Sequence, residues 1–449
     1  MSDQRVTNPF DINIKRAVIS TNRQGLYITD IRASIIELSL YESLDKLSIA
    51  GDLTLLDDAN LYSQIDFLGT EVLSIEFELP NSPFSSFQRS FIITGVMETT
   101  KANDNAEVIR LSLVDTDGYV DVLTNVNKAY DGTIEQIINK ILKDNFETPR
   151  TLLVNPDETS RQNEMRVLIP NLRPYTAIQW IADRATSDLG LPFFAFSTLL
   201  DRNIRFLSLE SLLDQAPANN QPYRYNQAAA NNSDQDLLAQ AHVIVSYQQK
   251  NHEETLKIAN RGGISGKYQF LDTNNFALSG IDYRVDKIYD LLASKLSGLE
   301  SPNYDPFFEV HRGKLHEYGT TQVSQISASA VYSDVPSYHE EIDAAGHSTK
   351  AISYSVGQFL RKSEMSVMLP GRNWYPNSMG YHAIGSTIEM EFMDNSTKAD
   401  AAEAADTTPD YKRSGKYLVH STRHMFRNNA GKVRYETINN VVKLSSRSR

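Results

Sequence analysis

The chain has 449 residues, a formal net charge of −12 from 44 basic and 56 acidic side chains, and no cysteine. That length leaves room for two to four domains with sizeable cores, and an apolar fraction of 41% with 18 Phe and 22 Tyr excludes a disordered or fibrous chain. The negative balance gives no net attraction to nucleic acid or to an anionic membrane face, and the missing cysteine removes disulfides, thiolate metal sites and cysteine nucleophiles.

The opening stretch MSDQRVTNPFDINIKRAVIS lacks the apolar run of a secretory signal, and no window approaches the roughly 18 consecutive apolar residues of a membrane-spanning helix. The chain is therefore expected to fold in a cytosol, with no membrane insertion. Residues 12–122 then alternate with a period of two, the pattern of strands with one face buried. In SIIELSL, Ile36, Leu38 and Leu40 are expected to face one way and Glu37 and Ser39 the other. Further strands are read at LSIAGDLTLL and VLSIEFEL, and FIITGVMETT meets EVIRLSLV in a hairpin across KANDNA, whose Asn and Asp tolerate tight turns. Strands at this spacing predict a small antiparallel barrel.

After Thr116 the period changes. Ile134, Ile137, Ile138, Ile141 and Leu142 line one helix face, with Thr133 and Gln136 at capping-box spacing. A second helix is read from Ile178, Ile181, Ala182 and Ala185, with Thr176 and Gln179 as its box and Gly190 as its stop. Strands follow at LPFFAFS and RNIRFLSLESLL. The Asn-, Gln- and Ala-rich run QAPANNQPYRYNQAAANNSDQD is expected to be an exposed loop. Beyond the strand HVIVSYQQ, a third helix is read from Val285, Ile288, Tyr289, Leu292 and Leu296, closed by Gly298; residues 299–355 read as irregular and polar.

The last hundred residues repeat the first segment. LGTEVLSIEF carries Leu73, Ile75 and Phe77 in alternation, and IGSTIEMEF carries Ile388, Met390 and Phe392; one gap aligns Gly69 with Gly385. Each strand leads to a hairpin, the second being YLVHSTRHMFR-NNAG-KVRYETINNVV. Between strand and hairpin of the repeat, residues 396–410 read as a solvated insertion. The fold class expected is α+β, mainly β: two related tube-type antiparallel barrels with α+β connecting segments. The first barrel spans 1–122, an α+β unit 123–238, the second barrel 239–284 with 356–449, and a helix-plus-loop insertion 285–355.

No constellation carries chemistry. His339, Glu340, Glu341 and His347 lack metalloprotease spacing and read as a polar loop. RGGISGKY has three residues between Gly262 and Gly266, and Tyr268 stands where a phosphate loop needs Ser or Thr, so a tight turn is expected. The acidic pairs Asp57-Asp58 and Glu340-Glu341 read as solvated charge rather than a glycosidase dyad. Trp180 reads as helix packing, and Trp374, in PGRNWYPNS, as a turn residue given to packing or to an assembly contact. No catalytic, cofactor-binding or metal-binding residue is assigned.

The string IIELSLYESLDKLSIAGDLTLLDDANLYSQIDFLGTEVLSIEFEL resembles the first barrel of baseplate hub proteins of contractile-tailed phages and of the related hub half of type VI secretion spikes. TAIQWIADRATSDLGLPFFAFSTLLDRNIRFLSLESLL resembles the family's connecting segment, and SVMLPGRNWYPNSMGYHAIGSTIEMEF its second barrel. The resemblance implies a structural, non-enzymatic homotrimer in the virion's tail baseplate. Six barrels would mimic a tube hexamer, with partners in the tail tube protein, the central spike protein and other baseplate (wedge) proteins. Genomic DNA would pass through a neutral to acidic lumen without specific binding. Barrel edges near Ile75 and Met390 are expected to pair between neighbours. A tail-tube-like protein, a tail-associated peptidoglycan hydrolase and a host-sugar binding module are the alternatives.

Overall fold

A computed structural model of the chain describes residues 8–21, 27–80, 86–148, 150–156, 165–187, 191–199, 201–225, 240–252, 255–272, 278–287, 321–327, 353, 355–357, 363–375, 382–393, 410, 412–429 and 431–443. In the first segment the strands are β1 (Asp11–Thr21), β2 (Tyr27–Asp30), β3 (Ile35–Ser43), β4 (Ala50–Asp57), β5 (Glu71–Glu78), β6 (Phe87–Asn103) and β7 (Ala106–Asp115), with a short helix α1 (Leu61–Gln64). Helices α2 (Thr116–Leu123), α3 (Ile134–Asn145), α4 (Pro174–Ala182) and α5 (Leu209–Asp214) alternate with β8 (Ala129–Gly132), β9 (Leu152–Val154), β10 (Met165–Leu168), β11 (Phe193–Ser197) and β12 (Ile204–Ser208). The remainder holds β13 (Tyr223–Tyr225), β14 (Val243–Ile244), β15 (Ser246–His252), α6 (Thr255–Asn260), β16 (Ser265–Asp272), β17 (Leu278–Arg284), β18 (Thr321–Ser327), β19 (Ser363–Pro370), β20 (Thr387–Glu391), β21 (Gly415–Asn429) and β22 (Lys432–Val442).

The chain is mainly β, and one large sheet dominates it. Its pairings run in a circuit: β1 pairs β5, then β6, β7, β4, β3, β21 and β22 follow, and β22 pairs β1 again. A second circuit uses the same hairpin: β21, β22, β19 and β15, then through Val245 to β14, β13, β20 and back to β21. The order β3-β4-β7-β6-β5 in the first is met again as β15-β19-β22-β21-β20 in the second, with every neighbour antiparallel. Inward positions of both sets form one continuous apolar core, from Leu38, Leu53 and Ile75 to Val367, Ile388 and Val441.

The aligned glycines occupy matching places. Gly69 and Gly385 both have positive φ, 89° and 79°, just before β5 and β20, a conformation that costs an L side chain about 1 kcal/mol or more. The triplets Leu73, Ile75, Phe77 and Ile388, Met390, Phe392 are all buried.

Several expectations need correction. Ile35, not Ile36, is buried beside Leu38 and Leu40, because a bulge between Ile35 and Glu37 shifts the alternation by one residue. The hairpin β21–β22, grouped by sequence with the second segment, also closes the first circuit. Residues 265–284, grouped with the second barrel, pair instead with β18 in a separate three-stranded sheet, and that strand lies within the stretch read as irregular. The stretch read as an exposed loop contains β13, whose Tyr223 is fully buried between β14 and β20; three residues are too few to show a period. Ile75 and Met390 are buried in strands paired on both sides, so neither marks a free edge. Of the helix read from Val285, only residues up to 287 are described; Ile288 to Gly298 and residues 396–409 lie outside the described residues.

Capping explains the connecting helices. Thr133 Oγ1 accepts from the Gln136 backbone amide and Gln136 Oε1 accepts from the Thr133 backbone amide, the box read from sequence. The box read for the next helix does not form, because α4 starts earlier, with Pro174 in its first turn and Arg173 as N-cap. The Tyr175 amide donates instead to Asp121 Oδ1 at 2.6 Å, tying α4 to α2.

Candidate functional site

The densest buried chemistry lies where the first circuit meets the α+β unit. Asp115 ends β7 and caps α2, accepting from the Gly118 amide at 3.0 Å. No Cβ fits at Gly118: it would stand 2.5 Å from Asp115 Oδ1 and 2.7 Å from Ser48. Arg150 reaches in from the segment before β9, bonds Asp115 and Asp117 through separate nitrogens, and points its third toward the Leu47 carbonyl. All three side chains are nearly inaccessible. Burial would push the Arg150 guanidinium down, but the two carboxylates hold it above its ordinary value. Burial raises Asp115, because one guanidinium shared between two buried carboxylates does not neutralise both.

A cavity of about 300 Å³ opens beside this cage, lined by Arg89, Arg150, Arg202, Asp115, Asp117 and Asp201. Arg89 donates to the Leu199 carbonyl at 2.6 Å and lies 4.1 Å over the Phe87 ring, and burial pushes it down to about 10. Asp201 takes Arg205 on both oxygens, at 3.1 and 2.8 Å. Each of these carboxylates faces an arginine, so the cavity holds opposed charges rather than a poised acid and base. Its arrangement locks the loop after β11 and the segment before β9 onto the ends of β6 and β7.

A second buried polar group sits on the shared hairpin. His424 on β21 bonds Glu42 of β3 at 3.1 Å and the Tyr435 hydroxyl at 2.9 Å, and that hydroxyl reaches the Trp374 carbonyl at 3.2 Å. Glu42 also accepts from the Leu199 amide at 2.7 Å, so one carboxylate joins the first circuit, the hairpin and the α+β unit. Nearby the Tyr223 hydroxyl meets His382 Nε2 at 2.8 Å and accepts from Asn373 at 2.8 Å.

Residues singled out by sequence take structural places. Asp57 accepts from the Leu61 and Tyr62 amides at 2.7 and 2.9 Å and starts α1; Asp58 is exposed beside it. Gly262, at φ 79°, makes the turn after α6, and Tyr268 is buried with its hydroxyl on Ser355. Trp180 packs under Arg184, 3.6 Å from ring to guanidinium. Trp374 lies in a short 3₁₀ turn, Gly371–Trp374, and is wholly buried, so packing rather than an assembly contact holds it. His339, Glu340, Glu341 and His347 lie outside the described residues. Sequence reasoning missed Arg150, which meets Asp115 across 35 residues of chain, and Glu42 and His424, which meet each other across 382. Among the described residues no helix is long and apolar enough to cross a membrane.

No protein-family model matches the chain. No curated protein matches it. Its fold is similar to that of the 43 kDa tail protein of prophage MuSo2 from Shewanella oneidensis, at 10% identity and a TM-score of 0.51, over 96% of this chain and 99% of that one. It is also similar to a tail protein from Neisseria meningitidis MC58, at 12% identity and a TM-score of 0.48 over 95% and 97% of the two chains. The E. coli c3393 protein, a component of the type VI secretion system, is similar at 9% identity and a TM-score of 0.41 over 97% and 77%. At these identities the likeness is one of fold.

Proposed function

We propose that this chain is a structural hub subunit of a contractile phage tail baseplate, and that its two strand circuits are related tube-type barrels. The observation that carries the reading is the repeated pairing order, β3-β4-β7-β6-β5 and β15-β19-β22-β21-β20, inside one chain. The fold likeness to the MuSo2 tail protein, which spans nearly the whole of both chains, supports it. Two like units per chain let three chains present six similar surfaces, so a trimer can adapt a hexameric tube to a trimeric spike. The partners are then other copies of the chain, the tail tube protein, the central spike protein and the wedge proteins around them, in the virion. The role is mechanical and not catalytic, and the buried ion cages serve to fix the connecting unit against the barrels. DNA passes through a lumen that the charge of −12 leaves neutral to acidic. The deciding measurement is a reconstruction of assembled particles. Three copies at the tail axis are expected; six, or one, would end the proposal, as would a continuous basic lining along the channel for its DNA clause.

A further inference from the structure

One end of the first circuit is unlike the rest of the surface. The end that carries the start of β3, the end of β4, α1, the loop before β5 and the far part of the β6–β7 hairpin exposes five large apolar side chains: Ile36, Leu56, Tyr62, Leu68 and Met97. Leu68 and Met97 are more than half exposed, at 61% and 56%. Pairings and contacts link the elements that carry them. Leu56 stands opposite Val108, and Val108 opposite Thr100; the Tyr62 ring stacks 6.3 Å from Phe67, next to Leu68; and an added Cβ on Gly69 would lie 3.2 Å from the Thr94 carbonyl. Among the described residues, fifteen large apolar side chains are exposed, and a third of them lie on these adjoining elements. Rimmed apolar patches of this kind mark interaction surfaces.

The rim is acidic. Asp52, Asp58, Glu98, Asp104 and Glu107 face Lys101 and Arg110, and Arg110 is already bonded to Asp52 at 2.9 Å. Strand addition is disfavoured here: beyond Ile93 the strand β6 carries register shifts at Ile93/Gly95, Val96/Glu98 and Lys101/Asn103, and such bulges with a lysine blunt an edge. The bulge at Met97 instead turns that side chain outward. A second copy meeting this end face to face would bring acidic rim against acidic rim, which repels.

We propose that this end is a docking surface for a different protein, one whose apolar contact is surrounded by lysine and arginine side chains. The chemistry of the surface stands by itself; only the identity of its partner as a tail component rests on the hub reading.

Two amphipathic peptides of equal length serve as probes for the full chain, one alternating leucine with lysine and one alternating leucine with glutamate. The lysine peptide should bind, and should lose at least tenfold in affinity between about 50 and about 300 mM salt, over which the screening length shortens from beyond 10 Å to well below it. The glutamate peptide should not bind. The double variant Leu68→Asp, Met97→Asp adds two negative charges, so attraction by charge alone would strengthen binding. At least a tenfold loss is expected instead, with an unchanged melting temperature, because both side chains are exposed. Binding retained by the double variant, or equal binding of the two peptides, overturns the proposal. A photo-crosslinker at Leu68 in assembled tails should link to another protein at a segment rich in lysine and arginine, and a link to a second copy of this chain overturns the occupant named. Tails that lack this chain altogether would defeat the hub reading and leave the peptide result standing.

Discussion

Replacing Arg150 by Met keeps much of the side chain's length and removes its charge. Asp115 would then be left buried without a cation, and Asp117 with only the exposed Arg202 at 3.4 Å, their side chains 11% and 8% accessible. Breaking a buried pair in this way costs about 3–5 kcal/mol, mostly the penalty of the stranded charges. The cost falls on one junction in a chain of several units, so a single melting temperature is a poor measure. Amide hydrogen exchange reads it locally. The Gly118 amide is held by Asp115 at 3.0 Å and the Tyr175 amide by Asp121 at 2.6 Å, and both should lose roughly a thousandfold in protection, the equivalent of about 4 kcal/mol. Adding Asp115→Asn and Asp117→Asn removes the stranded charges while Asn still caps α2, so the triple variant should recover most of the loss. Unchanged protection in Arg150→Met would show that the cage does not hold the junction. A triple variant less protected than the single one would refute the charge argument itself.

Acidification should weaken the fold for a stated reason. Burial would raise Asp201 and Glu37, yet Arg205 in one case and Arg427 with Arg423 in the other hold both carboxyls below their ordinary range. Their contribution is present above the unfolded value near 4 and is lost as pH falls, whereas Asp115 and Asp121, raised by burial, act in the opposite sense. Melting temperature should drop between about pH 5 and about pH 3, and Arg205→Ala should flatten that drop. Gly385→Ala meets both a φ of 79° and the Phe196 ring at 2.9 Å, so it should cost about 1–3 kcal/mol by chemical denaturation; Gly431→Ala, at φ 88° with open space, should cost less. Deleting residues 396–409, which keeps Asp410 in place to accept from the Arg413 and Ser414 amides, should leave the melting temperature within about 2 °C, since the deleted stretch offers small and acidic residues but no apolar anchor. A fall of several degrees would show that the insertion packs.

What the sequence disclosed follows from the range over which each signal acts. Alternation along β5 and the stripe on α3 are local, and they put Leu73, Ile75 and Ile138 in the core as read. The glycine pair Gly69 and Gly385 was legible because a positive φ restricts residue choice at the position itself. Bulges are not legible: the extra residue in β3 carries no composition cue, so plain alternation assigns to Ile36 the buried place that Ile35 holds. Nor were the buried ion cages. Arg150, Glu42 and His424 look like any surface charge in one dimension, and only long-range pairing brings their partners to them. The short strand β13 failed for the same reason, since its burial comes from β14 and β20 rather than from its own pattern.

The shared hairpin explains how the two strand circuits are held as one piece. The first residues of β21, Gly415–Leu418, pair with β20 in the second circuit, and Ser421–Arg427 pair with β3 in the first. The border falls on His420, which is skipped in the ladder with β22 between Val419 and Ser421. A skipped residue bends its strand and raises the local twist, so the hairpin turns where it passes from one circuit to the other. His420 is held in that place from both sides: its carbonyl accepts from the Leu44 amide at 2.9 Å, and its ring stands 3.3 Å from Asp45. Rotating one circuit against the other would require breaking ladder bonds on both sides of this bend, in strands buried along most of their length. The angle between the two circuits is therefore set within the chain, and in the proposed ring any adjustment must come from contacts between chains.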